Sequence, residues 1–362
     1  MTEARNHLLP GDPAPIFRAP SNINPNFDFG TAAGRYIVLS FLGPLDGGAK
    51  ARFDAFLAGA AVFTNPDCYF FGVVGGKPAD ADPALTQQRP GMDTFWDDGA
   101  IARAYGAFEP LSFLIGLDLR VLAVVKQPDP AQHAAALYEI LKRLPQIGAH
   151  RPGGPQAPVL LLPSVFEPAL CRRLIEGYES GGGEESGFMR EQDGKTVLVI
   201  DHQHKRRSDW TIGDETLRNT ARHRIQRRIV PEIEKAFQFK ITRMERYIVA
   251  CYDAAVEGHF KAHRDNTTKG TAHRRFAVTI NLNSDEYEGG ELMFPEYGRT
   301  TFKPPVGGAV VFSCSLLHQA LPVTKGKRYA FLPFLYDDAA AKIREANNAY
   351  LGDNVAQYKS GG

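Results

Sequence analysis

The chain has 362 residues, of which 43% are hydrophobic and 23% charged, so it can form a large core and is long enough for two domains. Its 42 Lys and Arg residues balance its 41 Asp and Glu residues, which excludes a global field that would attract nucleic acid or an anionic membrane. Four scattered cysteines argue against a disulfide framework or a thiolate zinc site, and the absence of a signal-like or membrane-spanning apolar run predicts a cytoplasmic protein.

The first part of the chain alternates strand-like and helix-like patterns. Apolar runs rich in β-branched and aromatic residues predict strands at Tyr36–Gly43, Tyr69–Gly75 and Leu111–Val125, the last split into a hairpin near Gly116. Apolar residues at helical spacing predict one helix around residues 53–60 and another over residues 134–144. This mixture predicts an α/β domain over residues 1–147, followed by a Pro- and Gly-rich linker over residues 148–158.

The second part begins with helices and continues as short strands. Every fourth residue from Leu217 to Phe237 is apolar, and Pro231 should kink or restart that helix. The predicted strands that follow are Arg246–Tyr252, His259–Asp265, Phe276–Asn283, Gly290–Phe294, Ala309–Cys314, His318–Leu321 and Arg328–Tyr336. Such a succession is typical of a β-sandwich or jelly roll, which we place at residues 159–338, with a peripheral helix and loose tail over residues 339–362.

Candidate metal ligands lie on these strands. His263 and Asp265 form the only His-x-Asp in the chain, and on a strand both would project from one face. His318 follows on a later strand, and two imidazoles with one carboxylate are the ligand set of non-haem Fe(II) oxygenases. The alternative is that His263 and Asp265 form a surface hydrogen-bonded pair while His318 fills a gap in the core.

Arg328 stands within an apolar strand pattern, with no acidic residue nearby in the sequence. A buried guanidinium needs an anionic partner because it cannot lose its charge. A bound dicarboxylate would supply that partner. The alternative is an arginine at a strand end whose head group reaches solvent.

The segment from about Glu245 to Tyr336 resembles the prolyl 4-hydroxylase-type 2-oxoglutarate/Fe(II) dioxygenases. The matching motifs, in order, are Tyr252, Gly258–Asp265, Asn281–Asn283, Glu288–Glu291, Pro305–Ala309, His318 and Arg328. The resemblance implies a double-stranded β-helix with supporting helices. It also implies that His263, Asp265 and His318 bind iron, that Arg328 binds the C5 carboxylate of 2-oxoglutarate, and that Tyr252 contacts this cosubstrate. Many members have tyrosine where this chain has Asn281, so that tyrosine contact is not expected here.

The resemblance further implies the reaction. With Fe(II), 2-oxoglutarate and O2, and ascorbate as a candidate reductant, the enzyme would hydroxylate an unactivated C–H bond and release succinate and CO2. A peptidyl, prolyl-type substrate is favoured over a free small molecule, no nucleic acid or membrane partner is implied, and the oligomeric state stays open. Hydrophobic walls are expected from Phe276, Val278, Phe312 and Leu316.

Two other functions remain possible at this stage. The chain would be a catalytically quiet protein that senses 2-oxoglutarate or iron and docks a partner, or a cupin-like metal enzyme that uses the three ligands without a cosubstrate. Only the second predicts that loss of Arg328 leaves activity intact. The polar, basic segment Asp201–Arg207 is interpreted as a solvated loop rather than an anion site.

The first part resembles a peroxiredoxin of the thioredoxin fold, on Leu9–Phe17, Tyr36–Gly43 and Asp97–Gly106. Where peroxiredoxins carry a threonine and the reactive cysteine, this chain has Gly48 and Ala51, so no nucleophile remains there. Cys68 is interpreted as a small buried residue. We therefore expect a degenerate domain that has no thiol peroxidase activity and serves as a docking or stabilising module.

Overall fold

The computed structural model describes residues 7–45, 48–147 and 156–358, and the chain divides into two compact units, residues 1–151 and 152–362. Most of the segment predicted as a linker, residues 148–158, lies outside the described residues. Within the described ranges, no helix is both long enough and apolar enough to cross a bilayer.

The first unit is built on a five-stranded mixed sheet. The strands of this unit, of which the last five form the sheet, are β1 (Arg18–Ala19), β2 (Phe27–Asp28), β3 (Tyr36–Pro44), β4 (Cys68–Gly75), β5 (Met92–Asp97), β6 (Leu111–Ile115) and β7 (Val121–Val125). Its α-helices are α1 (Ala49–Leu57), α2 (Pro83–Thr86), α3 (Ala100–Tyr105) and α4 (Pro130–Leu141). The sheet order is β5-β4-β3-β6-β7, in which β4 is parallel to β3 and β5, whereas β6 is antiparallel to β3 and β7.

Helices cover both faces of this sheet. Phe53 and Phe56 of α1 and Leu137 of α4 are buried against one face, while Ile101 and Tyr105 of α3 are buried against the other. This arrangement confirms the expected thioredoxin-like α/β fold. The sequence pattern did not indicate β5, because acidic residues interrupt its apolar run, although all six of its residues are buried.

In its described residues, the second unit contains two large antiparallel sheets, two two-stranded sheets and four α-helices. Its strands are β8 (Leu160–Leu162), β9 (Glu184–Glu185), β10 (Phe188–Gln192), β11 (Lys195–Val199), β12 (Lys205–Arg206), β13 (Ser208–Thr211), β14 (Arg243–Glu245), β15 (Ile248–Asp253), β16 (His259–His263), β17 (Phe276–Asn281), β18 (Glu288–Gly289), β19 (Leu292–Met293), β20 (Thr301–Phe302), β21 (Ala309–Ser313), β22 (His318–Ala320), β23 (Val323–Lys325), β24 (Lys327–Phe331) and β25 (Phe334–Tyr336). Its helices are α5 (Pro168–Gly181), α6 (Glu215–Arg228), α7 (Val230–Phe237) and α8 (Asp338–Ala346).

The two sheets face each other as a double-stranded β-helix, as expected. The major sheet contains β14-β25-β17-β24-β15-β13-β9 with β21 and β8, and the minor sheet contains β12-β16-β22-β19-β20. Phe312 and Phe334 of the major sheet share one apolar cluster with Leu292 of the minor sheet. Leu174 of α5 and Ile225 of α6 are buried in the cluster that supports the major sheet.

Of the two outcomes expected at Pro231, the structure shows the restart: α6 ends at Arg228, and Pro231 lies in the first turn of α7. Two other local expectations change in the structure. The last predicted strand is divided into β24 and β25, since Pro333 cannot donate a backbone hydrogen bond to a ladder. The C-terminal tail is not loose as far as residue 358, because the Gly352 amide donates to the Thr196 carbonyl at 2.9 Å.

Candidate metal centre and cosubstrate cavity

His263 and His318 are direct neighbours across two strands of the minor sheet. His263 ends β16, His318 begins β22, and the two residues are register partners in the antiparallel pair. Their ring centroids are 4.3 Å apart. Strand pairing therefore brings together two imidazoles that are 55 positions apart in the sequence numbering (318 minus 263).

Asp265 joins them from a turn, not from the strand that the sequence predicted. β16 ends at His263, and the Asp265 amide donates to the Cys314 carbonyl at 3.0 Å, which holds the turn against the end of β21. The Asp265 carboxylate lies 3.6 Å from His263 Nε2 and 3.4 Å from His318 Nε2. All three candidate ligand atoms lie within 4.8 Å of one another.

Both imidazoles are oriented by the backbone. His263 Nδ1 donates to the Lys261 carbonyl at 2.8 Å, and His318 Nδ1 donates to the Leu316 carbonyl at 3.0 Å. This hydrogen bonding leaves the lone pair on each Nε2 facing Asp265. Phe260 stacks on His263 with ring centroids 3.5 Å apart and keeps that ring in place.

The charges of the three residues suit a divalent cation. Burial lowers the pKa of His318 to about 4, so its imidazole is neutral near pH 7. Burial alone would raise the pKa of the Asp265 carboxyl, but the positive charge that His318 and His263 carry when protonated holds it well below its usual range. Two imidazoles and one carboxylate on one side of an ion leave open positions, which fits Fe(II) of the facial-triad type.

Arg328 lies on β24 of the major sheet and is only 2% exposed, which excludes the alternative of a solvated head group. Its register partner on β15 is Tyr252, and its guanidinium lies 5.1 Å from the centroid of that ring. Its Nε atom has no hydrogen-bond partner, and no acidic side chain among the described residues pairs with it. A buried cation with an unused donor fits an anionic ligand.

Asn281, the residue that departs from the resembled pattern, contacts this arginine. Arg328 Nη2 donates to Asn281 Oδ1 at 3.3 Å, and Asn281 Nδ2 donates to the Tyr287 hydroxyl at 2.9 Å. Burial raises the pKa of Tyr287, and the nearby positive charge of Arg328 opposes that rise. A buried tyrosine is thus present beside Arg328, although it comes from a position that the sequence analysis did not consider.

A cavity of about 750 Å³ connects these groups. It is lined by all three candidate ligands together with Arg328 and Tyr252. Of the four expected hydrophobic wall residues, Val278 and Phe312 line it, whereas Phe276 and Leu316 pack in apolar clusters instead.

The sequence analysis missed part of the lining. Lys205 and Arg207 were assigned to a solvated loop, but they are only 5% and 8% exposed and line the cavity. Lys205 pairs with Phe260 across β12 and β16, and Arg207 directly follows β12; no local pattern indicated this strand.

Comparison with known proteins bears on this unit. Residues 247–336 match the family described as the 2OG-Fe(II) oxygenase superfamily. This segment of the second unit is thus similar to a 2OG-Fe(II) oxygenase domain.

Two curated relatives of this oxygenase domain are named as PKHD-type hydroxylases. One, from Cupriavidus metallidurans, is 40% identical over 80 residues, which cover 20% of this chain and 35% of the relative. The other, PiuC from Pseudomonas aeruginosa, is 26% identical over 183 residues, which cover 48% of this chain and 75% of the relative. The chain thus spans only about a third of the first relative's length.

Solved structures are similar to each part of the chain. A Pseudomonas putida prolyl-4-hydroxylase has 16% identity and a TM-score of 0.38, covering 50% of this chain and 93% of its own. A disulfide oxidoreductase of Mycobacterium tuberculosis has 22% identity and a TM-score of 0.30, covering 35% of this chain and 96% of its own.

The thioredoxin-like unit has no thiol at the position expected for one. Gly48 adopts a left-handed conformation with φ of 85° just before α1, and Ala51 is exposed in the first turn of that helix. Cys68 begins β4 and is buried, and burial raises the pKa of its thiol to about 12. This environment suits a small core residue rather than a nucleophile.

Proposed function

We propose that the chain is a 2-oxoglutarate- and Fe(II)-dependent oxygenase that hydroxylates an unactivated C–H bond. In this proposal His263, Asp265 and His318 hold the iron, and Arg328 holds the C5 carboxylate of 2-oxoglutarate. The observation that carries it is that one cavity is lined by the three candidate ligands and by Arg328, whose Nε has no hydrogen-bond partner. The names of the curated relatives support hydroxylation, and the sequence resemblance favours a peptidyl substrate.

Some of these side chains would bind the metal and the cosubstrate, and others would shield the metal from water. Fe(II) and 2-oxoglutarate, when bound, supply the activation of O2 that oxidises the C–H bond and yields succinate and CO2. Each Nε2 is presented by a backbone hydrogen bond on the opposite ring nitrogen, so binding needs no rotation of the imidazoles. Phe260 and Phe312 cover the two histidines and exclude water from the metal.

The test is succinate formation by the full chain. Purified protein is given Fe(II), 2-oxoglutarate, O2 and ascorbate, and succinate is measured with and without added peptide. The variant His318→Ala removes a candidate metal ligand and is expected to lower the rate at least about 100-fold. Even the loss of a residue that only hydrogen-bonds to a metal ligand lowers metal affinity or activity by up to about 100-fold. His202→Ala is the matched control, because His202 is an exposed histidine paired with Glu185.

A second variant tests the cosubstrate site. Arg328→Met is expected to raise the KM for 2-oxoglutarate roughly 10- to 100-fold, the cost of one charge-assisted hydrogen bond or more in a buried place. Unchanged turnover in Arg328→Met would favour the cupin-like alternative. Binding of 2-oxoglutarate without any succinate would favour the sensor, and the omission of ascorbate shows whether it serves as the reductant.

A further inference from the structure

Three cationic side chains form one side of the cavity and are called the cationic wall here: Lys205, Arg207 and Arg246. All three line the cavity. Lys205 and Arg207 come from the segment around β12, whereas Arg246 lies between β14 and β15. Neither the metal ligands nor Arg328 belong to this wall.

Arg207 and Arg246 of the cationic wall share a single carboxylate as their hydrogen-bonded acidic partner. Asp209 is its acidic partner, accepting from Arg207 Nη2 at 2.7 Å and from Arg246 Nη2 at 3.2 Å. Burial and the like charge of Arg207 lower the pKa of Arg246 to about 10, and burial lowers the pKa of Lys205 well below its usual value. Grouped cations in a poorly solvated place are unfavourable unless an anion joins them.

Arg246 has donors to spare. Among the described residues its guanidinium makes one hydrogen bond, to Asp209, and 28% of the side chain is exposed. Arg207 also has a donor to spare, because its Nε is buried and has no hydrogen-bond partner. The backbone of Arg246 has φ of 68°, a left-handed conformation that a non-glycine residue adopts at a cost and that is concentrated at functional sites.

The cationic wall borders the metal centre. Lys205 Nζ lies 5.0 Å from the centroid of Phe260, the ring that stacks on His263. On the other side, Arg246 and Arg274 both lie over the ring of Phe334, and Arg274 Nη1 donates to the Asp265 carbonyl at 3.5 Å. Arg274 itself is paired with Glu245 and is not counted in the cationic wall.

The cosubstrate site is separate from this wall but adjoins it. Arg207 Nη1 donates to the Tyr252 hydroxyl at 3.4 Å, and Tyr252 lies between Arg207 and Arg328. An anion on Arg328 therefore leaves the donors of Arg246 unused. The cavity, at about 750 Å³, has room for a second ligand beside a five-carbon dicarboxylate.

We propose that the cationic wall binds a carboxylate of the primary substrate and so directs an acidic molecule to the metal centre. This inference rests on the proposed function. Asp209 Oδ2 accepts from both Arg207 and Arg246, so these two guanidiniums already bind a carboxylate oxygen at this place. The carboxylate comes from a free amino acid or from an acidic side chain of a peptide, and the experiment separates these sources.

The test is a binding comparison in the full chain, with Mn(II) in place of iron and N-oxalylglycine saturating the cosubstrate site. Isothermal titration calorimetry compares glutarate with glutaramide, and N-acetyl-Ala-Glu-Ala-amide with its Gln counterpart. The carboxylate member of at least one pair is expected to bind about tenfold more tightly or better. A preference in the first pair alone indicates a free acid, and one in the second pair indicates a peptide.

The variant Arg246→Met keeps the apolar contact with Phe334 and removes the charge. It is expected to abolish the preference while the affinity for N-oxalylglycine changes less than about twofold, since Arg328 is intact. Arg299→Met, the loss of an exposed charge outside the cavity lining, is the control and should keep the preference. If Arg246→Met does not fold, the comparison of the two probe pairs in the wild-type protein still decides.

Three results would overturn the proposal in distinguishable ways. Equal binding of the charged and neutral probes, with N-oxalylglycine bound, would contradict only the role of the cationic wall. Tighter binding of O-phospho-L-serine than of either carboxylate probe would contradict the assignment of a carboxylate. Failure of N-oxalylglycine itself to bind to the Mn(II)-loaded protein would contradict the proposed function and this inference with it.

Discussion

Each candidate histidine ligand is fixed by the carbonyl two positions before it in the chain. His263 uses the Lys261 carbonyl and His318 uses the Leu316 carbonyl, so both orientations come from backbone and not from another side chain. A substitution at Lys261 or Leu316 therefore leaves the hydrogen bond available. The orientation of the two imidazoles depends on the register of β16 and β22 and is as stable as that strand pair.

Tyr287 lies beside Arg328, and its contribution to the cosubstrate site can be tested by removing its hydroxyl group. Tyr287→Phe removes the hydroxyl that accepts from Asn281 and leaves Nδ2 of that asparagine without this partner. Since Asn281 contacts Arg328, the KM for 2-oxoglutarate is expected to rise roughly 2- to 10-fold, with kcat nearly unchanged. Steady-state succinate assays measure both constants.

Tyr350→Phe serves as the control for that variant, because Tyr350 is 40% exposed. A fall in kcat without a change in KM would contradict the expected role of Tyr287. The sequence offered one signal for this residue, since it directly precedes the Glu288–Glu291 motif that was recognised. Its contact with Asn281 depends on the pairing of β18 with β23 and could not be derived from the local pattern.

At the scale of elements, Glu245 joins three parts of the second unit. Its carboxylate accepts from Arg274 Nε at 2.8 Å, lies 3.1 Å from His273 Nε2 and pairs with Arg344 of α8 at 2.6 Å. Glu245 ends β14, and the other residues lie before β17 and on α8. One buried carboxylate thus connects the C-terminal helix with the major sheet.

Glu245→Gln is expected to lower the free energy of unfolding by roughly 3–5 kcal/mol near pH 7, because it leaves buried cations without their counter-charge. Burial alone would raise the pKa of Glu245, but Arg274 and His273 hold it well below its usual value. A depressed folded-state pKa contributes stability that is complete above the unfolded value of about 4.3 and is lost as pH falls. The difference between wild type and variant should therefore narrow in acid.

Urea unfolding followed by tryptophan fluorescence at several pH values measures this difference. Glu288→Gln is the matched control, since Glu288 forms an exposed pair with Lys325, and it should leave the unfolding curve unchanged. A difference that grows as the pH is lowered would contradict the account of Glu245.

Elements with a regular apolar pattern could be predicted from the sequence, and those determined by distant pairing could not. The hairpin of β6 and β7 and the restart of the helix at Pro231 follow from local rules. Asp265 could not be placed correctly, because the end of β16 depends on the contact with Cys314. The inward direction of Lys205 depends in the same way on the pairing of β12 with β16.

At the scale of the whole molecule, the cavity is assembled from segments that are far apart in the chain. Phe188 and Leu198 come from the β10–β11 hairpin, whereas Leu351, Val355 and Tyr358 come from the C-terminal tail. These segments carry no motif, so the sequence predicted the metal ligands but not the opening around them. The tail was expected to be peripheral, and its contribution to the lining corrects that expectation.

The four cysteines extend the argument to both units. All are buried, and burial raises the pKa of Cys68 and Cys171 to about 12, that of Cys251 to about 11 and that of Cys314 well above its usual value. Because the thiolate is the reactive form, none should react in the native protein at pH 7.5. Ellman's reagent is expected to detect no thiol in the folded chain and four after denaturation in guanidinium chloride.

Hydrogen peroxide provides the functional counterpart of that titration. The full chain, without iron and with dithiothreitol as reductant, should consume peroxide no faster than the buffer, and Cys68→Ser should behave as the wild type does. The denatured-state count is the control, since it shows that the thiols were present and reduced. Rapid labelling of one native thiol together with peroxide turnover lost in Cys68→Ser would contradict the interpretation. The thioredoxin-like unit would then carry thiol chemistry of its own at Cys68. Peroxiredoxins carry their reactive cysteine elsewhere, at the position that Ala51 occupies in this chain.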